Sequence, residues 1–158
     1  MLKWLWLSVL VLILDQGSKL LIDSTMQLYE SIAIFPSFNI TYTHNPGAAF
    51  SFLSDAGGWQ RWFFAGLAVV MSVVLSIWLS RLKAYETWLA AAVALVLGGA
   101  VGNLIDRLAY GYVIDFLDFY YGGWHFATFN IADSAISVGV AILVADSLGL
   151  IKVESQES

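Results

Sequence analysis

The sequence predicts a mainly α-helical membrane protein with four transmembrane helices, a small external β-cradle and an interfacial segment. Three observations support this prediction. Of the 158 residues, 59% are hydrophobic and only 12% are charged, whereas soluble domains carry about 25% charged residues. Four apolar runs approach the roughly 20 residues that a helix needs to cross a bilayer. Lys and Arg are absent from the segment between the first and second runs and from the segment between the third and fourth runs. We therefore expect residues 1–158 to form a single integral membrane domain.

The four predicted spans cover about residues 2–22, 61–80, 87–108 and 132–150. The segments 23–60 and 109–131 contain no Lys or Arg and are predicted to be external. Four basic residues fall on the opposite side, namely Lys3, Arg81, Lys83 and Lys152. Because Lys and Arg accumulate in cytoplasmic loops, this distribution predicts that both termini are cytoplasmic.

The first external segment contains a strand pattern followed by a turn. Polar and apolar residues alternate over 38–43, which is typical of a half-buried strand. Asn45, Pro46 and Gly47 then form a chain-breaking signal. The following residues, 48–53, are small or aromatic and are predicted to lie at the membrane interface. Asn45 is either a turn residue or a substrate contact, and the pattern alone favours neither role.

The first predicted span contains two charged residues, Asp15 and Lys19. They are four residues apart, so they share one helix face and can form an ion pair. Charged residues inside a membrane span are costly and suggest a function by default. The structural interpretation of this pair is nevertheless preferred over a catalytic one.

Further polar residues gather at the outer ends of the third and fourth spans. Gly98 and Gly102 form a small-xxx-small pair that permits close helix packing. Beyond them, Asn103, Asp106 and Arg107 share one helix face. Two more carboxylates and a predicted N-cap follow in the chain: Asp115, Asn130 and Asp133. A transporter usually places its site near the midplane, whereas polar groups at one membrane face favour an enzyme that acts on an externally presented substrate.

The available side chains narrow the chemistry. The chain has no Cys and only two His, without a His-Glu-x-x-His motif, which makes a catalytic zinc site improbable. There is no Gly-x-Ser-x-Gly motif for a serine nucleophile, and no basic patch for nucleic acid. Two carboxylates can instead hydrolyse a peptide bond, one as the base that activates water and one as the acid that polarises the carbonyl.

Asp115 and Asp133 are the predicted catalytic pair, with Asp133 favoured as the base. A helix N-terminus stabilises the ionised form of Asp133, whereas the apolar run around Asp115 favours its protonated form. Asp106 is an alternative partner for Asp133, but the adjacent Arg107 favours a structural role for Asp106. Asp118 is predicted to be solvated at the membrane edge.

The motifs resemble those of the bacterial lipoprotein signal peptidases, a family of aspartyl membrane proteases. Five segments carry the resemblance, in the family's order and over most of the chain. They are Asp15-Gln-Gly-Ser-Lys19, Asn45-Pro-Gly-Ala-Ala-Phe50, Gly98-Gly-Ala-Val-Gly-Asn-Leu-Ile-Asp-Arg107, Val113-Ile-Asp-Phe116 and Phe129-Asn-Ile-Ala-Asp-Ser134. The ordered set is far more specific than any one motif, and the only visible departure is Ile114, where Val is usual.

The resemblance implies a function and a set of site residues. The substrate would be a prolipoprotein whose Cys carries diacylglycerol, and the cut would fall immediately before that Cys in the bacterial inner membrane. The implied catalytic residues are Asp115 and Asp133. The implied substrate-binding residues are Asn45, Asn103, Arg107 and Asn130, with structural support from Asp15, Lys19 and Asp106. The family acts at the outer face, needs no cofactor and is inhibited by the cyclic peptide globomycin.

Two other classes of protein are weighed against this interpretation. A small proton-coupled transporter would place polar groups at mid-membrane on at least two helices, which the sequence does not show. A non-catalytic membrane partner protein would not require paired carboxylates.

Overall fold

A computed structural model describes residues 1–47 and 58–151. A 3₁₀ turn, Leu2–Trp4, leads into helix α1, Leu5–Thr25. The other helices are α2, Trp59–Arg81, α3, Thr87–Ala109, and α4, Ile131–Ser147. The described residues also form four strands: β1, Ser31–Phe35, β2, Phe38–Asn45, β3, Val113–Tyr121, and β4, Trp124–His125. The predicted interfacial segment, 48–53, lies outside the described residues, as does Lys152.

Three helices in the described part of the chain are long and apolar enough to cross a membrane: Leu2–Thr25, Trp59–Arg81 and Thr87–Ala109. The fourth helix, α4, has 17 residues, which at a rise of 1.5 Å per residue gives a length of about 25 Å. That length is slightly less than the roughly 30 Å of a bilayer core. The structure is therefore that of a mainly helical protein with several apolar helices, and its fourth helix is shorter than the predicted run.

Helix α3 is the centre of the bundle and packs against α1, α2 and α4. Glycines allow the close approach on two of these faces. A Cβ on Gly98 would lie 2.8 Å from the carbonyl oxygen of Ser8 in α1, and a Cβ on Gly99 would meet the carbonyl oxygen of Ala132 in α4. On the third face, Val93 and Leu97 pack against the buried side chains of α2. The small residues thus set how closely α1 and α4 approach α3.

The outer surface of α2 is apolar. Six of its aliphatic residues are between 46% and 58% exposed: Leu67, Val69, Val70, Val73, Val74 and Ile77. A continuous apolar surface of this kind is unusual on a soluble monomer. It fits a helix whose outer face contacts lipid acyl chains.

The strands form one antiparallel sheet in the order β1-β2-β3-β4. The strand predicted at 38–43 is part of β2. The second external segment was predicted without strands, but it contributes β3 and β4 to the same sheet. Residues 113–116 of β3 are all buried, so this strand lacks the alternation of a half-exposed one. The register pairs Thr43 with Asp115 and Asn45 with Val113.

The sheet is attached to the outer end of α1 through β2. The Tyr42 hydroxyl donates a hydrogen bond to Asp23, and its oxygen lies 2.8 Å from Nε2 of His44. The His44 ring stacks on Tyr112 with 3.7 Å between ring centroids. Burial and the bond to Asp23 raise the pKa of Tyr42, while burial lowers the pKa of His44. These contacts hold β2 against the outer end of α1 and against Tyr112.

Asp118 is buried, so the prediction that it is solvated at the membrane edge was wrong. Its side chain is 3% exposed and accepts a hydrogen bond from Thr41 at 2.8 Å. Nδ1 of His125 lies 2.8 Å from its other oxygen. Burial alone would raise the pKa of Asp118, but the hydrogen bonds from His125 and Thr41 outweigh burial and lower it. The prediction failed because β3 was not recognised as a strand.

Candidate active site

The structure brings all nine predicted site residues to the junction of the helices and the sheet. Asp15 and Lys19 lie on α1, and Asn45 ends β2. Asn103, Asp106 and Arg107 occupy the last turns of α3. Asp115 is the third residue of β3, and Asn130 and Asp133 begin α4. These residues are far apart in sequence, so the fold creates their proximity.

Two asparagines connect the carboxylates of Asp115 and Asp133. Nδ2 of Asn130 donates to Oδ1 of Asp115 at 2.7 Å, and Nδ2 of Asn103 donates to Oδ1 of Asp133 at 2.7 Å. The two amides also contact each other, because Nδ2 of Asn130 lies 3.2 Å from Oδ1 of Asn103. A third amide, that of Asn45, donates to Oδ2 of Asp115 at 3.0 Å. The carboxylates therefore share one hydrogen-bonded network.

Fixed donors set the orientation of these amides. Oδ1 of Asn130 accepts the backbone N–H of Asp133 at 2.9 Å, which makes Asn130 the N-cap of α4. Oδ1 of Asn45 accepts the backbone N–H of Gly47 at 2.9 Å. Because each amide oxygen is occupied by an N–H group, each Nδ2 must point towards a carboxylate. The donors around Asp115 are therefore aligned by the fold itself.

Burial makes Asp115 an unusually weak acid. Its side chain is 1% exposed. Burial, and next the negative charge of Asp133, raise the pKa of Asp115 to about 7, against the opposing hydrogen bonds from Asn45 and Asn130. A carboxyl with such a pKa exists in both protonation states near neutral pH, as a general acid or base requires.

A buried ion-pair cluster of Asp15, Lys19 and Asp106 lies beside the two carboxylates. Nζ of Lys19 is 2.8 Å from Oδ2 of Asp15 and 2.9 Å from Oδ2 of Asp106. Asp106 also accepts the backbone N–H of Ile114 at 3.1 Å, which ties β3 to α3. The lysine and the backbone N–H thus both contact Oδ2 of the Asp106 carboxylate.

The same cluster holds the start of α4. Oδ1 of Asp15 accepts the backbone N–H of Ala132, the residue before Asp133, at 2.9 Å. Gln16, which sequence reasoning did not single out, donates to Asp15 at 3.1 Å and to Asp106 at 2.9 Å. The signal for Gln16 was available, because it is a polar residue within a predicted span and adjoins Asp15.

Arg107 lies close to Asp133 without a direct ion pair. Its Nη1 donates to the carbonyl oxygen of Asn103 at 3.3 Å, and its guanidinium lies 5.3 Å from the ring centroid of Phe64. The charges of Asp133 and, more weakly, Asp115 act on this guanidinium. Arg107 therefore adds positive potential at the Asp133 side of the network.

Two cavities meet the carboxylates. The first, which we call the membrane cavity, has a volume of 420 Å³ and lies between α2, α3 and α4. Its walls are mainly apolar, and its polar residues are Asn103, Arg107 and Asp133. The second, which we call the sheet cavity, has a volume of 330 Å³ and is lined by Thr43, His44, Asn45, Pro46, Asp115, Ala127 and Thr128. Asp133 thus faces a mainly apolar space within the bundle, while Asp115 faces a more polar space beside the sheet.

Two threonines of the sheet cavity were also missed from the sequence. Thr43 Oγ1 donates to the carbonyl oxygen of Asp115 at 3.2 Å and lies 2.8 Å from Oγ1 of Thr128.

Within residues 1–47 and 58–151, no group of three or more His, Asp or Glu side chains is arranged to hold a metal ion.

Apolar helices beneath a small sheet, with paired buried carboxylates at their junction, define a multi-pass membrane protein with an enzyme-like site. Residues 7–149 match the sequence model of the family described as "Signal peptidase (SPase) II". The chain belongs to this signal peptidase family.

Curated relatives agree with this assignment. A protein named "Lipoprotein signal peptidase" from Shigella boydii serotype 4 (strain Sb227) is 57% identical over 145 residues, which cover 92% of this chain and 88% of the relative. A protein of the same name from Escherichia coli (strain K12 / DH10B) is 56% identical over the same lengths.

Solved structures show the same fold. One, described as "Bacterial membrane enzyme structure by the in meso method at 2.3 A resolution", superposes with a TM-score of 0.84 at 31% identity, covering 100% of this chain and 94% of that one. A second structure, of similar description at 1.9 Å resolution, gives a TM-score of 0.83 at 33% identity and covers 94% of both chains.

Proposed function

We propose that this peptidase removes the signal peptide from diacylglyceryl-modified prolipoproteins by cutting just before the lipidated Cys, with Asp115 and Asp133 as its catalytic pair. The family assignment and the names of its relatives support peptidase activity on prolipoproteins. The observation that carries the catalytic assignment is the network in which Asn103 and Asn130 connect the two carboxylates.

The proposed reaction uses one ionised and one protonated carboxyl. Ionised Asp133 removes a proton from water, and the resulting hydroxide attacks the scissile carbonyl. Protonated Asp115 hydrogen-bonds to the carbonyl oxygen and stabilises the tetrahedral intermediate. Collapse of the intermediate breaks the C–N bond, and the amine of the Cys leaves with the proton from Asp133. The raised pKa of Asp115 supports its role as the protonated partner, although coupled carboxylates titrate as a pair.

The two cavities suggest how a membrane-bound substrate reaches this pair. The membrane cavity has apolar walls that suit the apolar end of a signal peptide, and Arg107 and Asn103 lie at its polar end. The sheet cavity brings Asn45 beside Asp115. We assign substrate positioning to Asn45, Asn103, Arg107 and Asn130, because each contacts or faces a catalytic carboxylate. Globomycin, the inhibitor that the motif resemblance implies, is proposed to bind at the same site.

We further propose that residues 1–158 form one membrane domain with four spans and cytoplasmic termini. In this topology α4 is the fourth span, and residues outside the described helix would extend its apolar run. The catalytic pair would then face the outer side of the bacterial inner membrane, in contact with membrane lipid. The position of Lys3, Arg81 and Lys83 on one side, away from both external segments, supports this orientation.

The test is cleavage of a diacylated prolipoprotein by the purified protein, followed as a mobility shift on a gel. Wild type should cleave, and Asp115→Asn and Asp133→Asn should each abolish cleavage, because Asn cannot exchange a proton. Since the two residues act as a unit, the double variant should be scarcely worse than either single variant. Asp146→Asn, at the far end of α4, is the matched control and should cleave.

All variants must be compared at equal amounts of folded protein, checked by their binding of globomycin. Substantial cleavage by Asp115→Asn, with Asp106→Asn folded but inactive, would show that Asp106 is the true partner of Asp133. Failure of wild type to cleave the lipidated substrate would reject the proposed function.

A further inference from the structure

We propose that Lys19 is a positioning residue for the reaction and that, through the amide of Asn103, it holds Asp133 as the ionised base of the catalytic pair. This inference rests on the proposed function. It assigns Lys19 a role in the chemistry in addition to its structural role in the ion-pair cluster.

The Lys19 ammonium contacts three oxygen atoms. It donates hydrogen bonds to Oδ2 of Asp15 at 2.8 Å and to Oδ1 of Asn103 at 3.2 Å, and it forms an ion pair with Oδ2 of Asp106 at 2.9 Å. The side chain is 2% exposed. Because an ammonium can only donate, these oxygen atoms are what holds its charge inside the protein.

Two donors set which way Asn103 faces: Nζ of Lys19 and Nδ2 of Asn130, each 3.2 Å from its amide oxygen. An ammonium can only donate, so the amide oxygen of Asn103 must face Lys19. The amide nitrogen must then point the other way, where it donates to Oδ1 of Asp133 at 2.7 Å. The hydrogen bonds therefore run in one direction, from the cation to the carboxylate. A donor held against this oxygen favours the ionised carboxylate over the protonated one.

The surrounding cations favour the ionised form of both Asp133 and Asp115, but they do not act equally on the two carboxylates. The cations that act on Asp133 are Lys19 and Arg107, and Arg107 interacts with Asp133 more strongly than with Asp115. Opposing them are the carboxylates around the network: Asp15, Asp106 and Asp115. Asp133 also lies in the first turn of α4, where the helix dipole favours a negative charge. Asp115 accepts hydrogen bonds from two neutral amides, and these bonds and Lys19 favour its ionised form, but burial and the charge of Asp133 outweigh them and raise the pKa of Asp115 to about 7. The shared proton therefore falls to Asp115.

The experiment must separate positioning from simple structural support. Lys19→Met alone would leave Asp15 and Asp106 as buried like charges and could unfold the protein. Combining Lys19→Met with Asp106→Asn removes one charge of each sign and keeps the net charge of the cluster. Asp106→Asn alone is the matched control, because it retains the contact between Lys19 and Asn103.

The readout is the pH–rate profile for cleavage of a synthetic diacylated lipopeptide by each full-length variant in detergent. In the double variant the acidic limb should move to higher pH by about one unit or more relative to Asp106→Asn. The control retains the Lys19 charge, which favours ionised Asp133, and the contact between Lys19 and Asn103, whereas the double variant has lost both. The position of the acidic limb is the diagnostic readout and KM is not, because Asn103 is also assigned to substrate positioning. A lysine with only a structural role would lower the amount of active enzyme equally at every pH.

Asn103→Asp provides a second test that does not depend on the double variant folding. It preserves an oxygen for Lys19 but replaces the donor against Asp133 with an acceptor, so the acidic limb should move in the same direction. A double-variant profile that superposes on that of Asp106→Asn would overturn the proposal, as would an unshifted Asn103→Asp profile. If wild type cleaves and neither profile moves, only this inference fails; if wild type does not cleave, the proposed function fails with it.

Discussion

Gly102→Ala should destabilise the protein, although alanine is normally the better helix former. Gly102 lies in α3, where a Cβ would be 2.6 Å from Oδ2 and 3.3 Å from Cγ of Asp15. Real Cβ contacts essentially never fall below 3.0 Å, so the carboxylate must retreat by at least 0.4 Å (3.0 minus 2.6). That oxygen is bonded to Lys19 at 2.8 Å, while the other oxygen of Asp15 holds Ala132 at 2.9 Å. The added methyl group therefore displaces the carboxylate from both of these hydrogen bonds.

The expected magnitude is the difference between two effects. Overpacking a well-filled core costs about 1–3 kcal/mol, and replacing a helical glycine by alanine returns about 0.5–1 kcal/mol. The net loss in the free energy of unfolding should be about 1 kcal/mol and at most about 2.5 kcal/mol. The N-terminus of α4 should also be displaced. For a chain of 158 residues, each kcal/mol corresponds to about 2–4 °C in Tm. Activity per folded molecule should fall as well, because Ala132 adjoins Asp133.

Gly66→Ala is the matched control, since Gly66 lies in α2 and a Cβ there would meet nothing within 4 Å. It should be neutral or slightly stabilising through helix propensity alone. Both variants would be unfolded thermally in the same detergent and assayed on the same lipopeptide. If Gly102→Ala proved as stable and as active as Gly66→Ala, the close packing of α3 on Asp15 would not be a constraint and the reasoning would be refuted.

Two further predictions concern pH and topology. Because the pKa of Asp115 is raised from 3.8 to about 7, the folded state keeps a proton that the unfolded chain releases, so stability should fall between about pH 4 and pH 7. Thermal unfolding across this range should show a flatter dependence for Asp115→Asn, and an unchanged slope would contradict the buried, protonated state of Asp115. The chain has no Cys, so single cysteines at Leu28 and Lys83 can report orientation. An impermeant thiol reagent should label the first only from outside and the second only from the cytoplasm, and the reverse result would invert the topology.

The helices were largely predictable because their signal is local. The predicted runs at 61–80 and 87–108 correspond to α2, Trp59–Arg81, and α3, Thr87–Ala109. The first run ended three residues too early, since α1 continues to Thr25 through polar residues that hydropathy does not favour. The sheet was only partly predictable. A short strand buried on both faces, such as β3, has the same apolar run as a helix or a loop packed on a core.

The site shows the same division between local and long-range information. Helical spacing placed Asp15 beside Lys19, and these side chains form an ion pair. The spacing could not reveal that the ion pair includes Asp106 from α3, or that Asp15 binds the backbone of Ala132. Nor could it reveal the contact between Thr43 and Thr128. Such contacts depend on how distant elements meet, which no periodicity within one segment records.

The hydrogen bond between Asp15 and Ala132 has a consequence for when the protein becomes active. It joins residues 117 positions apart, so it can form only after nearly the whole chain has been synthesised. Closing so long a loop costs conformational entropy, so contacts this distant in sequence tend to form late in folding. A chain still entering the membrane therefore has Asp115 and the ion pair of α1 but lacks a positioned Asp133. On the proposed catalytic role of Asp133, cleavage must therefore wait until α4 is in place.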